Sequence, residues 1–262
     1  ITEREHEIES FNPEEFWTLS AKFNDKNNNS LIATIFKLND KKIEKFYFKS
    51  KNDIDKASDI LKSKKLNISD ISTKVVNRNP SGPFTTSTLQ QTSSSRLGFG
   101  ASRTMQIAQR LYQGIEIDGE TIGLITYIRT DGTNLSTDAI SSLRNYIKSK
   151  FGNEYLPNDP LNYSGKKAKN AQEAHEAIRP TDILKTPDSV KKYLNIDQYK
   201  LYDLIWRRAL SSQMQSAKFD RNTITITSDD NGTIFKASGS VIKFDGFLKI
   251  YKDQKKDDDE SI

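Results

Sequence analysis

Two stretches of the chain carry the period-two pattern of strands, and a helix-patterned stretch lies between them. Phe16 to Phe23 alternates apolar and polar like a half-buried strand, and so does Leu31 to Phe36. Asn27 to Ser30 supplies the turn between them, Lys45 to Phe48 reads as a further strand, and Asp70 to Asn77 as another. Asp53 to Leu66 has helical spacing. The strand pattern returns at Thr223–Thr227, Thr233–Ser238 and Val241–Phe244. Residues 1–16 read as the end of a helix from an adjoining domain, charged at Glu3, Arg4, Glu5 and Glu7 and broken near Pro13. The expectation is an α+β fold. A discontinuous β-rich domain, 17–79 and 218–262, is interrupted by a mainly helical domain over 80–217, with seams at Asn79-Pro80 and Ala217-Lys218. The closing run from Lys252 to Glu260 reads as a solvated loop.

The middle section has the most structured pattern. Thr85 to Ser95 can form a helix with cap-competent Thr86 and Ser87, and Gly98-Phe99-Gly100 breaks it. A second helix runs from a Ser102 cap through Met105, Ala108, Leu111 and Tyr112 on one face, ending at Gly114. Ile115–Ile117, Asp118-Gly119 and Thr121-Ile122 then form a hairpin signal with a type I′ turn. Helix-turn-helix plus hairpin is the outline of a winged helix, which serves either as a nucleic-acid reader or as plain scaffold. The second hairpin strand is expected to continue from Gly123 to Asp131, placing Tyr127 and Arg129 on one face and Ile128 on the other. A helix capped by Ser136 follows through Ile140, Leu143 and Ile147 to Gly152. Another is expected over Gln172 to Ile178, stopped by Pro180, with Gln172, His175 and Arg179 on one face.

Composition narrows the classes. With 262 residues, two domains are the natural expectation. A net charge of +5 and a pI near 9.1 suit a polyanionic partner, although a Lys- and Asn-rich chain acquires that charge without one. The absence of cysteine excludes disulfides and thiolate metal sites. No apolar run is long enough for a membrane span. The chain opens at Ile1 without an initiating Met, so it is read as an internal piece; its lack of a signal pattern says little about the parent, for which the cytoplasm is the default expectation.

The chemistry concentrates at Tyr127 and Arg129. A guanidinium forks onto phosphate oxygens and absorbs charge gained in a transition state, and a cation beside a phenol favours the phenolate. Taken singly, a strand tyrosine is as readily a half-buried packing residue. Four blocks between Pro83 and Asp131 bear on the choice: Pro83 to Gln91, Leu97 to Phe99, Thr104 to Tyr112 and Gly123 to Asp131. Gln172 to Pro180 makes a fifth, flanked by Arg4-Glu5, Phe11 to Trp17 and Leu201 to Arg207. In order and spacing these resemble the active-site region of bacterial type IA DNA topoisomerase I.

That resemblance implies a catalytic set of Tyr127, Arg129 and His175. Tyr127 would take the 5′ phosphate of a cut strand, Arg129 would contact the scissile phosphate, and His175 would hold a DNA phosphate from a helix. The expected DNA contacts are Arg129, His175, Arg179 and Asp131, with Arg96, Arg103 and Arg110 placed to track the DNA backbone; Asp131 could instead orient Arg129 or cap a helix, and Arg96, Arg103 and Arg110 are each as readily solvated. Gly132 stands where the family commonly has serine. The resemblance implies an arch formed by the β-rich segments. It also implies single-stranded and negatively supercoiled DNA as partners, and ATP-independent relaxation of the negative supercoils in concert with the remaining domains. Mg²⁺ is expected in the parent, on an upstream domain absent from this chain, and no metal site is expected here. No Gly-rich phosphate loop argues for a nucleotide, and Asp257 to Glu260 is no substitute for the metal site. The isolated chain is expected not to relax DNA. The competing reading is a non-catalytic winged-helix module that binds single-stranded DNA.

Overall fold

The structure is a computed structural model that describes residues 1–25, 27–163 and 175–251; the expected loop from Lys252, the Asp257 to Glu260 run and Gln172 lie outside the described residues. The chain divides into two compact units, Ile1–Val75 with Asp220–Val241, and Val76–Phe219 with 242–251.

The first unit opens with helix α1 (Thr2–Glu9), which buries no residue. Its strands are β1 (Ser20–Asn24), β2 (Ser30–Leu38) and β3 (Lys41–Lys42), followed by helix α2 (Lys51–Lys62) and β4 (Leu66–Arg78). The late strands β7 (Ala217–Ser228) and β8 (Ile234–Phe244) insert between the early ones, giving the order β1-β2-β8-β7-β4 with β3 on β2. Alternation on β2 buries Ala33 and Ile35. A register irregularity between Ile35 and Lys37 then switches the parity, so that Leu38 is buried and the Lys37 ammonium stays outside. Helix α2 begins with a reciprocal Ser50–Asp53 capping box and buries Ala57 against this sheet's core.

Three expectations for this unit change. Lys45 to Phe48 is a turn with one bridge, Trp17 to Phe48, because the Tyr47 N–H closes a local turn onto the Glu44 carbonyl. Phe48 is nevertheless buried, which explains its apolar character. Pairing in the first strand starts at Ser20 rather than Phe16. The helix ends at Lys62, and Leu66 begins β4.

In the second unit, helices α3 (Thr86–Leu97) and α4 (Ala101–Gln113) are followed by the hairpin β5 (Ile115–Ile117) and β6 (Glu120–Ile122). The cap of α3 is Thr85, in a capping box with Thr88, and α4 starts from Gly100 rather than Ser102. Helix α4 buries Thr104, Ile107, Ala108 and Leu111, the i, i+3, i+4, i+7 stripe of a helix lying on a core. Tyr112 falls outside that stripe and is exposed. Asp118 and Gly119 both have positive φ, +52° and +87°, which is the type I′ geometry the Asp-Gly pair favours. Helix α5 (Thr137–Phe151) is capped by the Ser136 hydroxyl, and α6 (Pro187–Val190) is a single turn. Helix α7 (Ile196–Ser211) buries Tyr202, Ile205, Trp206 and Leu210 in the centre of the core.

The hairpin strand expected to run on to Asp131 stops at Ile122. Beyond it, backbone groups find separate partners. The Leu124 N–H donates to Leu111 O, the Thr126 N–H to Arg179 O, and Ile125 bridges Pro180. The three-residue β5 is too short to pair any further. Among the described residues, no helix is long and apolar enough to cross a membrane.

Candidate active site

Tyr127 lies on the irregular run after β6, and its burial pattern keeps the alternation of a strand. Leu124, Ile125, Ile128 and Thr130 are buried, whereas Tyr127 and Arg129 are exposed. The buried members anchor the exposed ones. Thr86, the first residue of α3, donates its N–H to Thr130 O at 2.9 Å and its hydroxyl to Ile128 O at 2.7 Å, and accepts the Thr130 N–H at 2.9 Å. Arg129 is therefore held by its neighbours, while its guanidinium makes no hydrogen bond or ion pair among the described residues.

Two rings meet Tyr127 edge-to-face: Tyr112 from α4 and His175, each with centroids 5.6 Å away. His175 is not on a helix. Residues 175–180 are extended, with Ala177 N–H on Asn134 O, Ile178 N–H on Phe84 O, and Arg179 exchanging hydrogen bonds with Thr126. Pro180 disfavours a helical Arg179, and long-range partners replace the i→i−4 bonds. His175 and Arg179 thus share no helical face.

Threonine hydroxyls fasten this segment to the tyrosine run. Thr126 donates to Ala177 O at 2.7 Å, and buried Thr130 donates to His175 O at 3.1 Å while accepting the Gly132 N–H at 3.0 Å. A Cβ on Gly132 would lie 2.1 Å from His175 O, so only glycine admits this approach.

The remaining expected DNA-contact residues have different surroundings. Arg179 is engaged by Glu176, with Nε at 2.7 Å and Nη2 at 2.9 Å, and by Pro180 O. Glu176 also accepts the Ser136 N–H at 2.7 Å, tying this segment to the start of α5. Burial works to raise the Glu176 pKa, but the hydrogen bonds from Arg179 and Ser136 outweigh it and hold the carboxyl below its ordinary value. Arg103 pairs with Asp197 at 2.6 Å and lies over Phe99, and Arg96 lies over Tyr251. Asp131 is exposed. The structure therefore brings Tyr127 and His175 together beside an exposed Arg129, and it commits Arg103 and Arg179 to protein partners.

The hydroxyls of Tyr155, Tyr163 and Tyr202 are occupied. A hydrogen bond to Asp245 pushes Tyr155 up to about 12, and burial pushes Tyr163 up to about 12. Tyr202 is also raised by burial, with its hydroxyl on Lys185 O. The Tyr127 hydroxyl has no such acceptor among the described residues. Among those residues, no three His, Asp or Glu side chains converge as a metal site.

Sequence reasoning placed Tyr112 on the apolar face of α4, read Thr86 as a helix cap rather than as the anchor of Ile128 and Thr130, and left Thr126 and Thr130 without a task. The available signal was position: Thr126 and Thr130 bracket Tyr127 and Arg129, and Tyr112 falls one residue past the last buried position of α4.

Two consecutive helices, a β-hairpin and then an exposed tyrosine and arginine follow one another in this unit. The sequence profile of the family described as DNA topoisomerase matches residues 1–262. The chain belongs to that family. It is 48% identical over 260 residues to DNA topoisomerase 1 of Rickettsia felis, covering 99% of this chain and 33% of that protein. Against DNA topoisomerase 1 of Haemophilus influenzae, identity is 44% over 250 residues, covering 95% and 27%. Full-length topoisomerase I from Thermotoga maritima is similar in structure, with a TM-score of 0.77 at 35% identity, covering 96% of this chain and 38% of that one. The chain spans about a third of the length of the curated relatives it matches.

Proposed function

We propose that this chain is the tyrosine-bearing part of a type IA DNA topoisomerase, and that Tyr127 is its nucleophile. The observation that carries the reading is the exposed Tyr127 phenol, set against the His175 ring and two residues from an exposed Arg129 whose side chain has no hydrogen-bond or ion-pair partner among the described residues. In the reaction, the Tyr127 oxygen attacks a backbone phosphorus and loses its proton. The bond to the 3′ oxygen breaks, the 3′ hydroxyl leaves, and a 5′-phosphotyrosine remains. Arg129 forks onto the non-bridging oxygens as charge builds there. His175 donates a hydrogen bond to the same strand. The 3′ hydroxyl then attacks the phosphotyrosine and restores both groups.

Because the covalent link conserves the phosphodiester, relaxation of negative supercoils requires no ATP. The sheet of the unit formed by Ile1–Val75 and Asp220–Val241 supports the reading of the β-rich segments as an arch that opens a gate for the passing strand, although 242–251 fall in the other unit. Mg²⁺ in the whole protein belongs to a domain outside these residues, and the cytoplasm is its place of work. The isolated chain binds single-stranded DNA weakly and does not relax plasmids, because it spans a third of its relatives.

The test uses the full-length parent and its Tyr127→Phe variant with end-labelled single-stranded DNA. Denaturing gels should show a covalent adduct in the parent and none in the variant. An adduct that persists in the variant places the nucleophile elsewhere.

A further inference from the structure

Tyr112 has no part in the chemistry above, yet its ring is one of the two that touch Tyr127. The backbones carrying the two tyrosines are locked together. The Leu124 N–H donates to Leu111 O at 2.8 Å. Gly123 packs so closely on α4 that a Cβ there would lie 2.7 Å from Tyr112 O. Helix α4 is itself fixed by buried Thr104, Ile107, Ala108 and Leu111. Tyr112 therefore projects from a rigid support, next to a tyrosine on an irregular run that has no sheet partner for its own side-chain row. An exposed phenol there has free rotation about two side-chain torsions unless something touches its ring.

Resting on the reading of Tyr127 as nucleophile, we propose that Tyr112 is a positioning residue: its ring braces the Tyr127 ring edge-on and holds the phenol oxygen in line with the phosphorus. An edge-to-face contact depends on the ring and not on the hydroxyl. In-line attack is sensitive to displacements of about 1 Å. Losing the brace lowers the rate of the covalent step and leaves DNA affinity unchanged.

The experiment compares Tyr112→Phe, Tyr112→Leu and Tyr127→Phe in the full-length parent, measuring single-turnover adduct formation, the Kd for the same oligonucleotide, and Tm. Tyr112→Phe should form the adduct within about twofold of the parent rate, and Tyr112→Leu at least about tenfold more slowly, with Kd and Tm unchanged in both. A Tyr112→Leu variant that weakens DNA binding and cleaves at the parent rate when saturated overturns the proposal, since the ring would then be a base-stacking contact. So does a Tyr112→Leu variant indistinguishable from the parent, or a Tyr112→Phe variant as slow as Tyr112→Leu. An adduct in Tyr127→Phe refutes the nucleophile assignment itself and is read separately from the Tyr112 results.

Discussion

The carbonyl oxygen of His175 occupies the space where a side chain on Gly132 would begin, 2.1 Å from an ideal Cβ at that position. The obstructing atom is backbone, so it cannot swing aside like the end of a flexible side chain. Gly132→Ala or Gly132→Ser must push the His175 strand away and stretch the Thr130–His175 hydrogen bond. Overpacking of this kind costs about 1–3 kcal/mol. Thermal unfolding of both variants should show the loss, and adduct formation should slow as His175 withdraws from Tyr127. Equal Tm for Gly132→Ser and the parent would mean that the two strands lie farther apart than described.

Thr130 is the second half of the same contact. Its buried hydroxyl donates to His175 O and accepts the Gly132 N–H. Thr130→Val keeps the shape and removes both bonds, leaving a donor and an acceptor unsatisfied, at a cost of about 1–3 kcal/mol. Thr130→Ser retains the hydroxyl and should recover most of that. Chemical denaturation of the three proteins checks the order, and a Val variant as stable as the parent would remove the hydroxyl from any holding role.

What was legible in the sequence was what is decided locally. Asp118-Gly119 set its own turn and Ser136 capped α5, whereas the apolar face of α4 was legible only in part: Ala108 and Leu111 are buried, but Thr104 and Ile107 complete the stripe in place of Met105 and Tyr112. Tyr127 and Arg129 stand exposed on either side of buried Ile128 although the run is no strand and bends at Ile128 and Arg129, because the Thr86 hydrogen bonds to Ile128 O and to Thr130 fix which side chains face inward. His175 was assigned to a helix because the groups that hold its strand, Phe84, Thr126 and Asn134, lie far away in sequence. The Arg179–Glu176 pairing was not legible, because the two residues meet in a non-helical run that distant partners hold. Phe48 looked like a strand residue because burial under a turn leaves the same apolar trace.

Arg129 separates catalysis from stability most cleanly. Its side chain makes no hydrogen bond or ion pair among the described residues, so Arg129→Ala should change stability by less than about 0.5 kcal/mol. If it supports the scissile phosphate, adduct formation in the full-length parent should fall by about 100-fold or more. Arg129→Lys restores a point charge without the two-pronged geometry and should recover only part of that rate. A variant with normal cleavage would leave Tyr127 without its charge-stabilising neighbour and direct attention to another cation.

The Glu176 latch gives the fold an acid sensitivity whose sign follows from its hydrogen bonds. Its carboxyl is held below the ordinary value of 4.5, with the bonds from Arg179 and Ser136 overcoming the opposing effect of burial. The folded state therefore favours the ionised form more than the unfolded chain does. The stabilisation is complete above pH 4.5 and is lost as the pH falls below 4.5 through the lower folded value. Glu176→Gln removes the charge at every pH, so the variant should be less stable than the parent at neutral pH. The gap should narrow in acid, as the parent protonates the same group. Urea unfolding of both proteins between pH 7 and pH 3 measures that gap. A constant difference across the range would mean that Glu176 holds the His175 strand by shape and hydrogen bonding, with no contribution from its charge.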